Sequence, residues 1–390
     1  MPDQPQVALI HDFLVDVRGA ERVFLEICDL WPEADVFTAV YDPEGTEGRF
    51  EHRNVQSSFL RHVRPTERSF RRLLPFYPAA IESLDLSGYD LVISSSSAWA
   101  HAVIPDPDAV HVCYCYNPFR YAWNERERTL SDRRDPFSRA VLRGLFRRWR
   151  QWDWIAAQRV DRYVTISRMT QRRVQAYFGR DSRVIHPPVA LSRFGPSEQI
   201  GDHYLLLSEL MPHKRIDEAV HAFGAIGRPL VVAGDGPDMR HLRRIAAPNV
   251  TFAGRVRDAE AERLLSTCRA LVVTAAEEFG LAAVEAQASG RPVIARDEGG
   301  ARETVIDGVT GTLWSGGEAE LAAAVEGFDD AAIDPQACLD NAQTFGVTRF
   351  REELLREVDR AVESARGGRE PEREAIRMRR RPARRGIGLR

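Results

Sequence analysis

The stretch 274–295, TAAEEFGLAAVEAQASGRPVIA, holds the reading that decides the fold. It opens on the end of an apolar run, ALVVTAA (270–276), passes Gly280, continues at helical spacing and returns to a second apolar run, GRPVIA (290–295). Strand, turn, helix and strand in so short a span is a βα unit with a parallel neighbour. In a doubly wound sheet, ligands bind outside the carboxyl ends of the strands, beside helix N-termini whose free N–H groups attract phosphate. The strand 270–276 therefore delivers Glu277 to that rim, and Gly280 lets the backbone approach a ligand. Glu285 lies about one turn into a helix starting near Leu281. A carboxylate accepts from two hydroxyls at once, which suits a ribose or sugar better than another anion. An ordinary helix start, where Glu is favoured, reads the same residues without a ligand.

The pattern repeats outward in both directions. Before it lie QVALIHDF (6–13), ADVFTAV (34–40), YDLVISSS (89–96), AVHVCYCY (109–116) and DRYVTIS (161–167), with helical candidates such as GAERVFLEICDLW (19–31) between them. A second series holds YLLLSEL (204–210), RPLVVAGDG (228–236), NVTFAGRV (249–256), the 270–276 and 290–295 runs and TGTLW (310–314), with a helix at 215–226. The proline-bearing stretch 183–203 reads as a linker. Two successive α/β domains with parallel sheets follow, joined near residue 190.

Composition excludes several classes. The 390 residues, 44% apolar and 28% charged, suffice for two or three packed cores and exclude wholesale disorder. No apolar run approaches the roughly 18–20 residues of a membrane span, and the N-terminus has no basic region followed by an apolar core, so a cytoplasmic location is expected. The five cysteines lack CxxC pairs, and Cys113 and Cys115 alternate in a strand, so buried reduced thiols are expected rather than disulfides or metal ligands. The formal charge is −3, from 54 Lys+Arg against 57 Asp+Glu. Of the basic residues a single one, Lys214, is lysine. The last 25 residues, 366–390, carry ten Arg and three Glu, a net of +7, leaving −10 on the body. This tail is expected to be disordered, either a solvated extension or an electrostatic attachment to anionic lipid.

The motifs together are more specific than any one of them. Glu277 and Glu285, with seven residues between, resemble the Glu-x7-Glu signature of the retaining family 4 glycosyltransferases. AGDGPD (233–238), FAGRV (252–256) and EGGARETVIDGVTGTLW (298–314) also match that family in order, as does HDFLVDVRGAERV (11–23) at the N-terminus. YDLVISSSSAWAHAV, CYCYNPFRYAW and SELMPHKRID are similar to the bacterial O-antigen and exopolysaccharide mannosyltransferase branch, the WbaZ-like group.

The resemblance implies a GT-B fold: two facing Rossmann-like domains, at 1–190 and 197–345, with a C-terminal helix near 346–365 completing the first. It implies catalytic roles for Lys214 and Glu277 and a donor site of Gly19, Arg215, Glu277, Phe279, Gly280, Leu281 and Glu285. Lys214 with Arg215 would hold the donor diphosphate, Glu285 the ribose, and Glu277 with the 279–281 amides the sugar hydroxyls and phosphate. Gly19 would face them from the other domain. The implied activity is transfer of mannose from GDP-mannose to a lipid-linked oligosaccharide, with retention by front-face displacement and without a metal or cofactor. A UDP-sugar transferase of the same fold and a non-catalytic nucleotide-sugar-binding protein are the alternatives.

Some positions depart from the pattern. Glu209 stands where most of the family carries Arg, a change common in the branch. Ser97 and Tyr116 stand where the branch often has His, and His101 is a candidate substitute for the missing N-domain group. Asp106 and Asp108, in IPDPDAV, look like a metal-binding Asp-x-Asp, but their prolines favour a turn. His11 and His186 sit at strand ends where a structural hydrogen bond is expected, and His213 adjoins Lys214. Segments 59–81 and 137–157 mix Arg with aromatic residues, including Trp149, Trp152 and Trp154. They suit either core packing under Arg stems or an anionic membrane surface. No nucleic-acid-binding module is present, so no nucleic-acid partner is expected.

Overall fold

The computed structural model describes residues 5–379, apart from 64, 65, 67, 68 and 132–134. Its strands form two separate sheets. The first contains β1 (Val7–His11), β2 (Asp35–Thr38), β3 (Val55–Ser57), β4 (Leu91–Ser96), β5 (Val110–Cys115), β6 (Arg162–Thr165) and β7 (Ser182–Val184). Their spatial order is β3-β2-β1-β4-β5-β6-β7. The second contains β8 (Tyr204–Leu207), β9 (Leu230–Ala233), β10 (Val250–Gly254), β11 (Leu271–Val273), β12 (Val293–Arg296) and β13 (Gly311–Trp314), in the order β10-β9-β8-β11-β12-β13. All pairings in both sheets are parallel.

Each sheet thus begins in its middle, runs to one edge, then returns to the other side of its first strand. The switch points are β1/β4 and β8/β11, and they are where such sheets leave a crevice at their carboxyl ends. The central strands are buried at every position in β1, β4 and β5, which is why they read as near-continuous apolar runs. The edge strands β3 and β7 escape that reading: each has three partly or fully exposed residues, VQS and SRV. β7 therefore takes the first residues of the expected 183–203 linker.

The C-terminal helix spans Val347–Arg379. Phe350, Leu354, Val358 and Ala361, at helical spacing, join the core beneath the first sheet with Val7 and Leu9. The chain so crosses back to the domain in which it began. The expected tail, 366–390, starts inside this helix, whose backbone continues to 379 through a sequence rich in the helix formers Arg and Glu. Residues 380–390 lie outside the described residues. All five cysteines are free and buried.

Candidate functional site

The two switch points face each other across a cleft of about 1000 Å3. One wall comes from the loop after β1 and the helix Gly19–Cys28, the other from the loops after β8 and β11 and the helix Leu281–Ala288. Arg18, Gly19, Tyr116 and Arg120 line the first wall, and Lys214, Glu277, Gly280, Leu281 and Glu285 the second.

On the second wall, β11 ends and the chain turns through Glu277 into Gly280, whose φ of 92° is left-handed and cheap only for glycine. The helix Leu281–Ala288 then starts, with its first residues lining the cleft and its first amides free of helical partners. Lys214 Nζ lies 2.7 and 2.6 Å from the two oxygens of Glu277, in a half-buried ion pair. Thr274 Oγ1 fixes the lysine's backbone by donating to its carbonyl at 2.6 Å. The Glu285 side chain stands one turn along the helix, half-buried. Burial pushes its carboxyl above the usual Glu range, against the pull of Arg22 and Arg193. Phe279, also in the cleft lining, stacks its ring on His186, centroids 5.3 Å apart.

Gly19 comes close to the opposite wall: a Cβ there would meet Leu281 Cδ1 at 3.0 Å. The first turn around it is held from behind. Tyr116 Oη donates to the Ala20 carbonyl at 3.0 Å and lies 2.9 Å from Ser95 Oγ. Ser95 Oγ is 3.0 Å from His11 Nδ1, and His11 Nε2 is 3.3 Å from Glu21 Oε1. Glu21 closes the chain by accepting the Arg18 N–H at 2.9 Å. Tyr116 thus reaches the cleft, but its hydroxyl is already engaged and burial raises its pKa far above neutrality. His11 has the structural hydrogen bonds expected of it, and so has His186, 3.0 Å from Glu303.

The structure separates the other N-domain candidates from this site. Ser97 binds Asp12, whose carboxylate accepts the Ser97 hydroxyl at 3.0 Å and the N–H groups of residues 97–100, capping a tight turn. His101 is 1% exposed and 3.2 Å from Asp153, among Tyr163 and Phe178 rather than in the cleft. Neither lines the cleft. Arg215 also departs from its expected place: it takes a left-handed backbone, φ 51°, and lines a neighbouring cavity instead of the main one. Asp106 accepts the Gly88 N–H at 2.8 Å in a turn.

Sequence reading missed the charges that join the walls. Arg18 lies 3.1 Å from Glu209, the position where the family pattern has Arg. Arg22 grips both oxygens of Asp258 at 2.7 and 2.9 Å. Glu278 takes Arg120 at 3.4 Å and Arg173 at 3.0 Å from the opposite domain. Burial alone would push the Glu278 carboxyl up, but these two guanidinium groups, with Lys214, hold it below the usual range. Each pair is distant in sequence, so no local pattern announces it.

Comparison with known proteins agrees with this geometry. Residues 17–193 match Glycosyltransferase Family 4, and residues 202–328 match Glycosyl transferases group 1. A GDP-mannose-dependent alpha-(1-6)-phosphatidylinositol monomannoside mannosyltransferase of Mycolicibacterium smegmatis is 30% identical over 203 residues, 44% of this chain and 53% of the relative. A D-inositol 3-phosphate glycosyltransferase of Mycobacterium marinum is 29% identical over 239 residues, 53% of this chain and 51% of the relative. The chain thus spans about half the length of these curated relatives. Among solved structures, sucrose-phosphate synthase from Thermosynechococcus elongatus superposes with a TM-score of 0.71 at 17% identity, covering 93% of this chain and 100% of the other. Anabaena HepE in complex with UDP and glucose gives 0.69 at 19% identity, covering 91% and 100%. The two family matches take up the two sheets in order, and the chain belongs to the family 4 glycosyltransferases, with the GT-B fold.

Proposed function

We propose that the protein transfers mannose from GDP-mannose to a lipid-linked oligosaccharide, retaining the anomeric configuration, in cell-surface polysaccharide synthesis. One observation carries the donor reading: Lys214, Glu277, the Gly280 turn and Glu285 converge on one wall of the cleft, with Gly19 opposite. A nucleoside diphosphate laid along this wall puts its phosphates at Lys214 and the amides of the helix Leu281–Ala288, and its ribose at Glu285. The sugar then meets Glu277. The GDP-mannose-dependent relative supports the choice of base and sugar, and the phosphatidylinositol acceptor in its name supports a lipid acceptor.

In this reading the acceptor hydroxyl attacks from the face that the diphosphate leaves. The bond from its oxygen to the anomeric carbon forms as the carbon–phosphate-oxygen bond breaks, and its proton passes to the leaving phosphate. Lys214 and the helix amides stabilise the growing negative charge, so no metal is required. The Lys214–Glu277 pair presets both groups: the diphosphate offers the ammonium a second anion, and Glu277 accepts from sugar hydroxyls.

Lys214→Ala is expected to lower donor turnover about 100- to 1000-fold, the usual cost of removing one group that stabilises a developing anion. Glu285→Ala is expected to weaken nucleotide binding. Wild-type turnover in both variants would sink the site. Thermal shift with GDP and UDP reads the base: stabilisation by UDP alone would favour the UDP-sugar alternative. Micromolar donor binding without hydrolysis or transfer would favour the non-catalytic one.

We further propose that the protein works at the inner face of the cell membrane as a peripheral protein. No helix of the described residues is long and apolar enough to cross a membrane. The support comes from the helix Pro136–Ala157: Trp149 is buried in the core and Trp152 is partly buried, but Phe137, Val141, Trp154 and Ile155 are exposed beside Arg143, Arg147 and Arg148.

A further inference from the structure

A second cavity, of about 300 Å3, adjoins the main cleft and shares Arg120, Lys214 and Glu278 with it. Its other charged walls come from Arg128, Arg173, Arg215 and Glu125. Five permanent cations thus face two carboxylates, Glu125 and Glu278, and one of the five, Lys214, is already paired with Glu277 outside this wall. His213, also in the wall, adds no charge at neutral pH, because burial and its cationic neighbours push its pKa down.

The carboxylates are already committed. Glu278 bridges Arg120 and Arg173, and Glu125 lies 3.5 Å from Arg120. Arg128 has no carboxylate within ion-pair distance among the described residues. Among the described residues Arg215 has only Glu298, at 3.9 Å; its backbone is left-handed, and it lines this cavity rather than the donor cleft. A left-handed backbone is strained for an arginine, and such strain is typical of ligand-holding loops. The cations arrive from three segments: the 120–128 loop and helix, the helix Arg168–Phe178, and the 212–215 turn. Converging guanidinium forks match the oxygens of phosphate better than those of one carboxylate. With Lys214 paired to Glu277, four arginines still face two carboxylates, a surplus that suits an anion.

We propose that this cavity receives a phosphate group of the acceptor while the donor diphosphate lies in the main cleft beside it. This rests on the donor reading given above. Lys214, in the shared wall, then stands between two anions, and the acceptor is held by its phosphate with its hydroxyl directed at the sugar end of the cleft.

The test is calorimetric titration of glycerol 3-phosphate, with inorganic phosphate as a second probe, into protein saturated with GDP. Glycerol 3-phosphate is expected to bind with GDP in place. Arg128→Glu, an exposed change, is expected to weaken it at least tenfold, and Arg128→Lys to recover most of the loss. Arg126→Glu, on the same helix but outside the cavity, is expected to keep the affinity. No binding to wild type, or an affinity indifferent to Arg128→Glu, overturns the proposal. Inorganic phosphate binding as tightly as the ester also overturns it, making this a free-anion site. Failure of GDP itself to bind counts against the donor reading alone; the probes titrated without nucleotide then read the same contrast between variants.

Discussion

Lys214 stands out openly in the amino-acid sequence. In a chain whose other basic residues are all arginine, the one lysine lies at the cleft, 2.6 Å from Glu277. Its neighbour Arg215, one arginine among many, has a positive φ and lines the adjoining cavity instead. Backbone handedness at a non-glycine residue leaves no sequence mark. Glu285 offers the residue-scale prediction. Its carboxyl is raised by burial, so the folded chain holds that proton more tightly than the unfolded chain. The stability it contributes is full below the ordinary Glu range and is lost as pH rises through the raised value. Glu285→Gln removes this loss: the variant's melting temperature, without nucleotide, should exceed wild type at pH 7.5 and the gap should narrow towards pH 4.5. If Glu285 holds the ribose as proposed, donor affinity has the opposite slope, since only the ionised carboxylate accepts through both oxygens from the ribose hydroxyls. Wild-type GDP affinity should weaken on acidification before an ordinary Glu would titrate, and the Gln variant should be weak throughout.

Elements are legible in proportion to their burial. All six strands of the second sheet coincide with apolar runs, whereas β3 and β7, at the edges of the first, do not. An edge strand needs only one partner and little apolar surface, and in the three-residue β3 and β7 nothing sets the sequence apart from a loop, whereas the longer edge strands β10 and β13 keep an apolar run. The same logic explains why Ser97 and His101 mislead: they flank a buried strand and serve its capping and core, and nothing in their spacing distinguishes that from a site. Where two elements meet, a prediction follows. Gly19 opens one helix and Leu281 opens another, with room for no Cβ beyond 3.0 Å between them. Since Leu281 Cδ1 is the end of a flexible side chain, Gly19→Ala should be tolerated. Gly19→Val should hold the helix starts apart and weaken GDP binding at least tenfold, and adding Leu281→Ala should recover part of it. A double variant no tighter than Gly19→Val would show that this contact does not set the width of the cleft.

At the scale of the whole molecule, the distribution of charge matters more than its sum. Across the cleft, the first domain offers Arg18, Arg22, Arg120 and Arg173 to Glu209, Asp258 and Glu278 of the second, which draws the two sheets together around the site. Elsewhere the arginines have a different setting. On the outward face of the helix Pro136–Ala157, Arg143, Arg147 and Arg148 stand among Phe137, Val141 and Ile155, the last 58% exposed. A stripe of this kind suits the plane of a membrane surface, with apolar groups entering the headgroup region and guanidinium groups meeting anionic lipid. Each basic residue near such a surface contributes about 1 kcal/mol, so replacing three of them with Gln should cost about 3 kcal/mol, or more than a hundredfold in partitioning. Cosedimentation with phosphatidylserine-rich vesicles should therefore collapse in the Arg143→Gln, Arg147→Gln, Arg148→Gln variant and fall for wild type in high salt, while phosphatidylcholine vesicles bind both proteins weakly. GDP binding should be unchanged, because none of the stripe's residues lines the cleft. Undiminished sedimentation of the triple variant would show that the exposed aromatic and aliphatic residues are ordinary surface, and the membrane reading would fall with it.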